Sequence, residues 1–542
     1  MSMETQTVRE TTAMERAQTE RSRLALILPG LLLGMLLAAL DQTIVGTAMP
    51  RVIAELQGLE HYAWVFTAYM LTSTVTVPLY GKLSDLYGRR TFFLFGMIVF
   101  LIGSALSGMA QSMTQLIFFR ALQGIGGGAL FPIAIAIVGD LFPPAERGKW
   151  QGLFAAVFGF SAIIGPSLGG WITDNWGWRW VFYVNMPVGA LALLTTGLTM
   201  PKLASGRQHR IDYLGAALLV SGVTPLLLAF SWAGTEYPWS SPPIIGLFGA
   251  SALFLVLFVA AELRAPEPIL DLRLFGNRIF TPTLLAAFLI AIGMFGTILY
   301  LPLFVQAVLG RSATNSGAVL TPMMLGFVFS SIVGGQILSR TGRYKILAIG
   351  TVAVAVIGMF LLSRMDVTTS STTVVRNMII LGLGIGTTMS LFTIIVQNAF
   401  PAQRLGEVTS ALTFFRSIGG TVGAAILGTV MTNRFQHELT TRIPDTIRAS
   451  IPAQQLDAIK NPQVFMSPEA MQQMQQQAAA FGPRGQEMLQ LLLTAVRQSL
   501  ASAIDTVFFV GMLILIGAFL LTFFIPEIPL RRRSPGGAPL AH

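Results

Sequence analysis

Gly81-Lys-Leu-Ser-Asp-Leu-Tyr-Gly-Arg-Arg90 follows an apolar run at 62–81, and Gly335-Gln-Ile-Leu-Ser-Arg-Thr-Gly-Arg-Tyr344 ends another at 315–338. Gly81, Gly88 and Arg89 recur as Gly335, Gly342 and Arg343, each 254 residues later. A second pair keeps nearly the same offset. Phe142-Pro143 and Gly148 return 258 residues on as Phe400-Pro401 and Gly406, with Arg147 answered by Arg404 at 257. Two matches at nearly one spacing imply a duplicated half.

Outward from these motifs the chain is a series of apolar runs. A helix needs about 20 apolar residues to cross about 30 Å of hydrocarbon, and fourteen runs qualify. Six lie near 24–48, 62–81, 91–110, 114–138, 149–172 and 179–199. Two lie near 213–232 and 243–263, and six near 279–305, 315–338, 345–363, 374–399, 409–432 and 503–525. Spanning strands would alternate over about ten residues, whereas these runs are continuous. The offset maps the first six onto the last six, so the middle pair is an insertion. The predicted fold is therefore an all-α membrane protein of fourteen spans. A six-helix bundle occupies 24–200, a two-helix insert 201–275, and a second bundle 276–525 with an outer extension at 433–502. Tails fill 1–23 and 526–542, and mixed charge without apolar pattern predicts a flexible segment over 1–20. Two similar halves around a cleft suit alternating access, which a channel does not need.

Composition agrees. Of 542 residues, 53% are hydrophobic and 11% charged, and the mean hydropathy is +0.67. A soluble chain carries about 25% charge, so this one lacks the polar surface of a multidomain cytosolic enzyme, a disordered protein or a nucleic-acid binder. There is no cysteine, which excludes disulfides, thiolate metal sites and thiol nucleophiles. With the N-terminus inside, inner segments carry 22 Lys and Arg against 5 outside, leaving out the long 433–502 loop, which escapes the positive-inside rule. Both termini are thus expected in the cytoplasm. Arg21 and Arg23 precede a stretch too long for a cleaved signal, so it reads as a permanent helix.

Charge inside a span is expensive and marks function by default. Asp41 lies about 10–12 Å from the outer face in the first span, and Arg120 about 6–9 Å from the same face in the fourth. The two can share a layer and pair. A carboxylate beside a cation has a lowered pKa, and one in apolar surroundings a raised pKa. Rocking helices that change this separation would make Asp41 bind and release a proton; the other reading is a static ion pair that fixes packing. Arg416 lies about 10 Å from the inner face and either lines a cavity or snorkels to the interface. In the 82–90 loop, Gly81 and Gly88 permit a tight turn. Asp85 with Arg89 is expected to form a latch made in one conformational state and broken in another. Gly152, Gly159, Gly165, Pro166, Gly169 and Gly170 crowd the fifth span. They predict a bent, closely packed helix at the interface between halves.

Gly124-Ile-Gly126-Gly127-Gly128-Ala129 fits a dinucleotide pattern but lies mid-span with no strand before it. No phosphate loop is present, the four histidines have no metal spacing, and no catalytic triad stands out. No enzyme activity, cofactor or metal is expected.

The motifs together resemble the major facilitator superfamily, in its fourteen-span drug:proton antiporter branch. The likeness runs from about 25 to 525. Leu40 to Pro50 resembles the first-helix signature, with Gly46 where asparagine is usual. Gly81 to Arg90 resembles the loop 2–3 motif, and Arg120-Ala-Leu-Gln123-Gly124 the fourth-span motif. Gly152 through Gly165, Pro166, Gly169 and Gly170 resembles the fifth-span antiporter motif, with Ser161 in place of a glycine. Trp178 to Pro187 and Ile211-Asp212-Tyr213 are similar to the same branch. The resemblance implies export, proton coupling through Asp41 and Arg120, and a multi-pass protein of a bacterial cytoplasmic membrane linked to antibiotic resistance.

Branch members that export dications often place an acid in the tenth span; 315–338 has none. The expected cavity groups are Gln42, Gln123, Gln306, Gln397, Asn398 and Arg416, though an interhelical hydrogen bond is an equal reading for each glutamine. Uncharged or singly charged amphipathic compounds suit such a pocket. The expected partners are that small molecule, protons and membrane lipid, and no nucleic acid. Export of lipids or lipid-linked compounds and an uncoupled facilitator are the alternatives. The 433–502 loop predicts a helix start at Ser467-Pro468-Glu469 and a helix from Gln486 toward the last span. It reads as a lid, a lipid guide, or a dock for a periplasmic adaptor or lipoprotein.

Overall fold

In lipid a backbone amide finds its partner only within its own helix, and the apolar runs all become helices. The computed structural model describes residues 3–56, 62–200, 211–234, 236–309, 320–443 and 482–530, with four further residues between 472 and 479. In chain order these are α1 (Met3–Leu56), α2 (Tyr62–Tyr87), α3 (Arg89–Met109), α4 (Met113–Leu141), α5 (Pro144–Asn175), α6 (Trp180–Tyr183), α7 (Asn185–Thr199), α8 (Tyr213–Trp232) and α9 (Pro242–Glu262). There follow α10 (Phe280–Leu303), running into a π turn at Phe304–Val308, α11 (Thr321–Thr341), α12 (Tyr344–Leu362), α13 (Ser371–Ala399), α14 (Leu405–Arg442) and α15 (Gly482–Phe523). Short α6 and α7 make one span.

Thirteen spans among the described residues are long and apolar enough to cross a membrane. The fourteenth is α2, which is as long but diluted by hydroxyls. Thr72 and Thr76 hide theirs by donating to the carbonyls of Ala68 and Thr72, at 2.9 and 2.8 Å. One expectation changes. The segment predicted as a flexible tail is helical from Met3 onward, because it holds no glycine or proline and is rich in helix formers. The predicted helix start at Ser467 and the tail at 531–542 lie outside the described residues. The helix predicted from Gln486 is present within α15.

The duplication is visible in the packing. In one half α1 packs on α5 and α7, α2 on α4, and α3 on α4 and α7. In the other α10 packs on α14 and α15, α11 on α13, and α12 on α13 and α15. Exchanging α1, α2, α3, α4, α5 and α7 for α10 to α15 in order turns one set into the other. The halves meet along α5 with α11 and α2 with α14, two contacts that the same exchange interconverts. The insert α8–α9 packs on itself and touches α2 and α14. Its Leu214, Leu253 and Val256 are exposed, as are Phe118, Leu198 and Phe329 on the bundles. Apolar exposure on this scale marks a lipid-facing surface.

The repeated glycines now have a physical reason. Gly88 and Gly342 take φ of 98° and 68° and turn the chain into α3 and α12. The other four make two equivalent backbone approaches between halves. A Cβ on Gly148 would lie 2.5 Å from the Gly335 Cα, and one on Gly81 would lie 2.8 Å from the Gly406 carbonyl while colliding with Ser410. Gly335→Val is therefore expected to wedge the halves apart at this face. The chain has no cysteine, so a single cysteine replacing Thr413, two turns beyond Gly406, reports the change. Alkylation by an impermeant maleimide added on the side of the 82–90 loop should become severalfold faster with the valine present, and an unchanged rate refutes the wedge.

Candidate functional site

Between the halves lies a cavity of about 320 Å³. Its walls come from α1, α2, α4 and α5 of one half and their equivalents α10, α11, α13 and α14 of the other. Phe131, Phe154, Phe158, Met294, Phe295 and Phe327 make it largely apolar and aromatic. Hydroxyls from Ser73, Thr74, Ser390, Thr393, Thr413 and Ser417 interrupt that lining, with Gln42, Gln151 and Arg416.

Just behind the α1–α4 wall is a buried polar network. Arg120 Nη1 donates to Asp41 Oδ2 at 2.6 Å, and both side chains are essentially inaccessible. Gln123, one turn along α4, donates to Asp41 Oδ1 at 2.9 Å and accepts from Arg120 at 2.7 Å. Asn185 of α7 donates to Asp41 Oδ1 at 3.2 Å and to Ser104 at 3.0 Å. The carboxylate thus accepts three hydrogen bonds, which is what a buried charge requires. The Arg120 guanidinium stacks over Tyr69 at 4.3 Å. Tyr69 lines the cavity and reaches the Gln42 side chain. A chain of contacts therefore runs from the cavity through Gln42, Tyr69 and Arg120 to Asp41. Removing either charge would leave the other uncompensated, at a cost of roughly 3–5 kcal/mol.

At the face bearing the 82–90 loop, polar contacts close the halves. The Asp85 carboxylate accepts from the backbone N–H groups of Gly406 and Glu407, at 3.1 and 2.7 Å. It so caps the N-terminus of α14, where unpaired amides and the helix dipole favour an anion. Arg89 pairs with Asp85 and donates to Asp140 and Ser84, each at 2.8 Å. Burial pushes the Asp85 carboxyl up to about 6, against the pull of Arg89 and the two amides. Beside this latch, Arg147 donates to the carbonyls of Phe142 and Gly139 and, at 3.2 Å, to Gln397 of the other half. Gln397 in turn donates to the Ile135 carbonyl at 3.3 Å and to Thr409 at 3.0 Å.

A cleft between duplicated bundles, walled by four equivalent helices from each, is a carrier's architecture, and the comparisons agree. The Major Facilitator Superfamily profile matches residues 31–424. The chain belongs to that superfamily. It is 40% identical over 531 residues to the multidrug transporter protein MdtP of Bacillus subtilis (strain 168), covering 95% of each chain. It is 44% identical over 430 residues to multidrug resistance protein 3 of the same strain, covering 79% of this chain and 83% of that one. Its fold is similar to the human organic anion transporter MFSD10 (TETRAN), with a TM-score of 0.56 and 14% identity over 92% of this chain and 99% of that one. It is also similar to the proton:xylose symporter XylE, with a TM-score of 0.54 and 15% identity over 76% and 90%. This major facilitator protein is a multi-pass membrane transporter of small molecules and not an enzyme.

Of the six residues expected in its cavity, Gln42 and Arg416 line it. Gln123 serves the Asp41 network and Gln397 the closed face. Asn398 donates to the Pro529 carbonyl at 3.2 Å. Gln306 lies in the π turn, off the lining. Amides buried in lipid are drawn to fixed hydrogen-bond partners, and sequence alone does not separate that fate from facing a cavity. Gln151, Asn185, Tyr69 and Ser104 were not singled out. Asn185 sits inside the Trp178–Pro187 stretch, so its signal was present. The α5 motif also divides differently from expectation. Gly165 and Gly169 admit Thr43, Thr47 and Ile44 of α1, within the same half. Gly148, Gly152 and Gly159 face α11 across the interface, and no described residue comes within 4 Å of where a Gly170 Cβ would lie. Pro166 lies inside an uninterrupted helix; Thr43 donates to the Ser161 carbonyl at 3.0 Å, a little more than a turn before it.

Asp85→Asn is expected to weaken the closed face by about 1–3 kcal/mol, the worth of charge-assisted hydrogen bonds. Spin labels replacing Tyr87 and Gln403, exposed on opposite halves, should show a larger population at long distance in the variant. An unchanged distance distribution would remove the latch role.

Proposed function

We propose that this transporter is a proton-coupled antiporter that exports amphipathic drugs or other hydrophobic small molecules across a bacterial cytoplasmic membrane. The observation that carries the reading is the Asp41–Arg120 pair, fully buried yet linked to the cavity through Tyr69 and Gln42. Arg120, 2.6 Å away, favours the charged carboxylate, and a carboxylate left in buried apolar surroundings without such a partner favours its protonated form. Movement of α1 against α4 is thus the step that loads or releases the proton. Substrate entering beside Gln42 and Tyr69 perturbs the same contacts, which links the two cargoes.

Asp85 and the glycine pairs hold the halves together on one face in this conformation, and parting them while the opposite face closes gives alternating access. The side of that face follows from the positive-inside count, which makes it cytoplasmic. The names of the Bacillus relatives, a multidrug transporter and a multidrug resistance protein, favour drugs as cargo. A cavity of about 320 Å³ lies at the small end of ligand pockets and favours a compact amphiphile over a two-chain lipid.

The test is transport of amphipathic dyes, ethidium among them, by proteoliposomes with an imposed pH gradient. Wild-type protein should concentrate dye against its gradient. Asp41→Asn should lose that while still exchanging dye across the membrane without a gradient. Gradient-driven transport by Asp41→Asn equal to wild type would remove Asp41 as the coupling residue. Absence of any dye movement in either protein would remove drug export.

A further inference from the structure

The cavity carries a charge that nothing on its walls balances. Among the described residues that line it, Arg416 alone is formally charged, and no Asp or Glu joins it. Its guanidinium is held from behind by neutral acceptors. Nη1 donates to Thr393 Oγ1 at 3.2 Å and Nη2 to the Met389 carbonyl at 2.7 Å. Its Nε is buried with no acceptor among the described residues. Gln151, on α5 of the opposite half, lines the same cavity, is 5% exposed, and has no partner for its Nε2 among the described residues. Two buried donors from opposite halves therefore lack acceptors in one apolar pocket.

An arginine keeps its charge in such a place because it does not lose its proton in proteins. A buried cation without a counter-ion is costly, and an unpaired buried donor adds to that cost. The carboxylate of Asp41 does not answer it, since Asp41 is engaged by Arg120, Gln123 and Asn185. What relieves the pocket is a ligand that brings negative oxygen. A guanidinium presents paired N–H groups that match an oxyanion, and Ser390 and Ser417 offer hydroxyls on the same walls.

We propose that the cargo is an amphiphile with an oxyanion head, a carboxylate or sulfonate, seated on Arg416. Its apolar body lies against Phe154, Phe158, Met294 and Phe295. This rests on the cavity being the export site, and it names the charge class that the site selects.

Binding tests it without relying on transport. The probes share one ring system: 9-anthracenecarboxylate, its neutral carboxamide, and 9-anthracenylmethylammonium. Each is titrated into purified full-length protein in detergent and followed by fluorescence. Wild-type protein should bind the carboxylate about tenfold tighter than the ammonium, as one charge-assisted contact implies. Arg416→Gln should bring the three affinities within a few-fold of one another, and Arg416→Lys should keep the carboxylate first. Wild-type protein that binds the three alike, binds the ammonium best, or binds none of them overturns the proposal, and so does Arg416→Gln that retains the carboxylate preference. Gradient-driven export of the carboxylate in proteoliposomes separates this from the reading beneath it. Selective binding without export supports the anion seat and removes the export function. Export with no charge preference does the reverse.

Discussion

The structure depends on two places where backbone meets backbone across the interface. Gly148 against Gly335 and Gly81 against Gly406 leave no room for a Cβ, so the halves close more tightly there than side chains would allow. Without a hydrophobic drive between helices in lipid, such small-residue approaches are what van der Waals contact and helix association rely on. Because they lie at one end of the molecule, they close it there and leave the central cavity between the remaining lengths of α5, α11, α2 and α14. The Asp85 cap and the Arg147–Gln397 contact surround the same points. Packing and electrostatics therefore favour one closed face together, and a device that weakens either bears on both.

A second constraint acts at the opposite depth. Asp41 and Arg120 are buried where an isolated charge is not tolerated, so each specifies the position of the other, and thereby of α1 against α4. Gln123 and Asn185 complete the carboxylate's coordination from α4 and α7. The same helix α1 carries Thr43 and Thr47, seated on Gly165 and Gly169 of α5. A displacement of α1 thus changes the ion pair and the α5 contact at once, while α5 in turn bears on α11 through Gly148, Gly152 and Gly159. That sequence of contacts is a physical route from the Asp41–Arg120 pair to the interface between halves.

Much of this was legible in the sequence because the constraints act on single residues. Lipid demands long continuous apolar runs, which made all fourteen spans readable. The turn glycines at 88 and 342 and the contact glycines recur at the repeat spacing because no other residue fits their backbone. Asp41 and Arg120 stood out as charges inside spans, and helix rise alone placed them in one layer. The cavity lining was less legible. A glutamine in a span serves equally as lining, as network or as seal, and which one depends on the rotation of its helix against neighbours not yet placed. Gln42 lines, Gln123 supports and Gln397 seals. The helical extension of α1 to Met3 was hidden for a different reason: it has helix propensity but no apolar face, and periodicity detects only the latter.

The repeat also shows where the halves diverged, and that bears on what each contributes. At the shared offsets, the latch acids Asp85 and Asp140 correspond to Ser339 and Asn398, so the second half keeps Arg343 and the glycines but not the acids. Phe158 of α5 corresponds to Arg416 of α14, and both face the cavity. Gly139 corresponds to Gln397, and these two touch each other across the interface. Backbone geometry was kept by the duplication because the two equivalent glycine contacts need matched packing. Charge was not. The first half holds the compensated pair and the Asp85 cap, to which the proposed function assigns the proton and the switching. The second half holds the uncompensated cation, which is suited to cargo. In the proposed mechanism, placing the two charges on different halves lets the proton site and the cargo site move relative to each other when the halves rock, and a single rigid site shared by both would not do so.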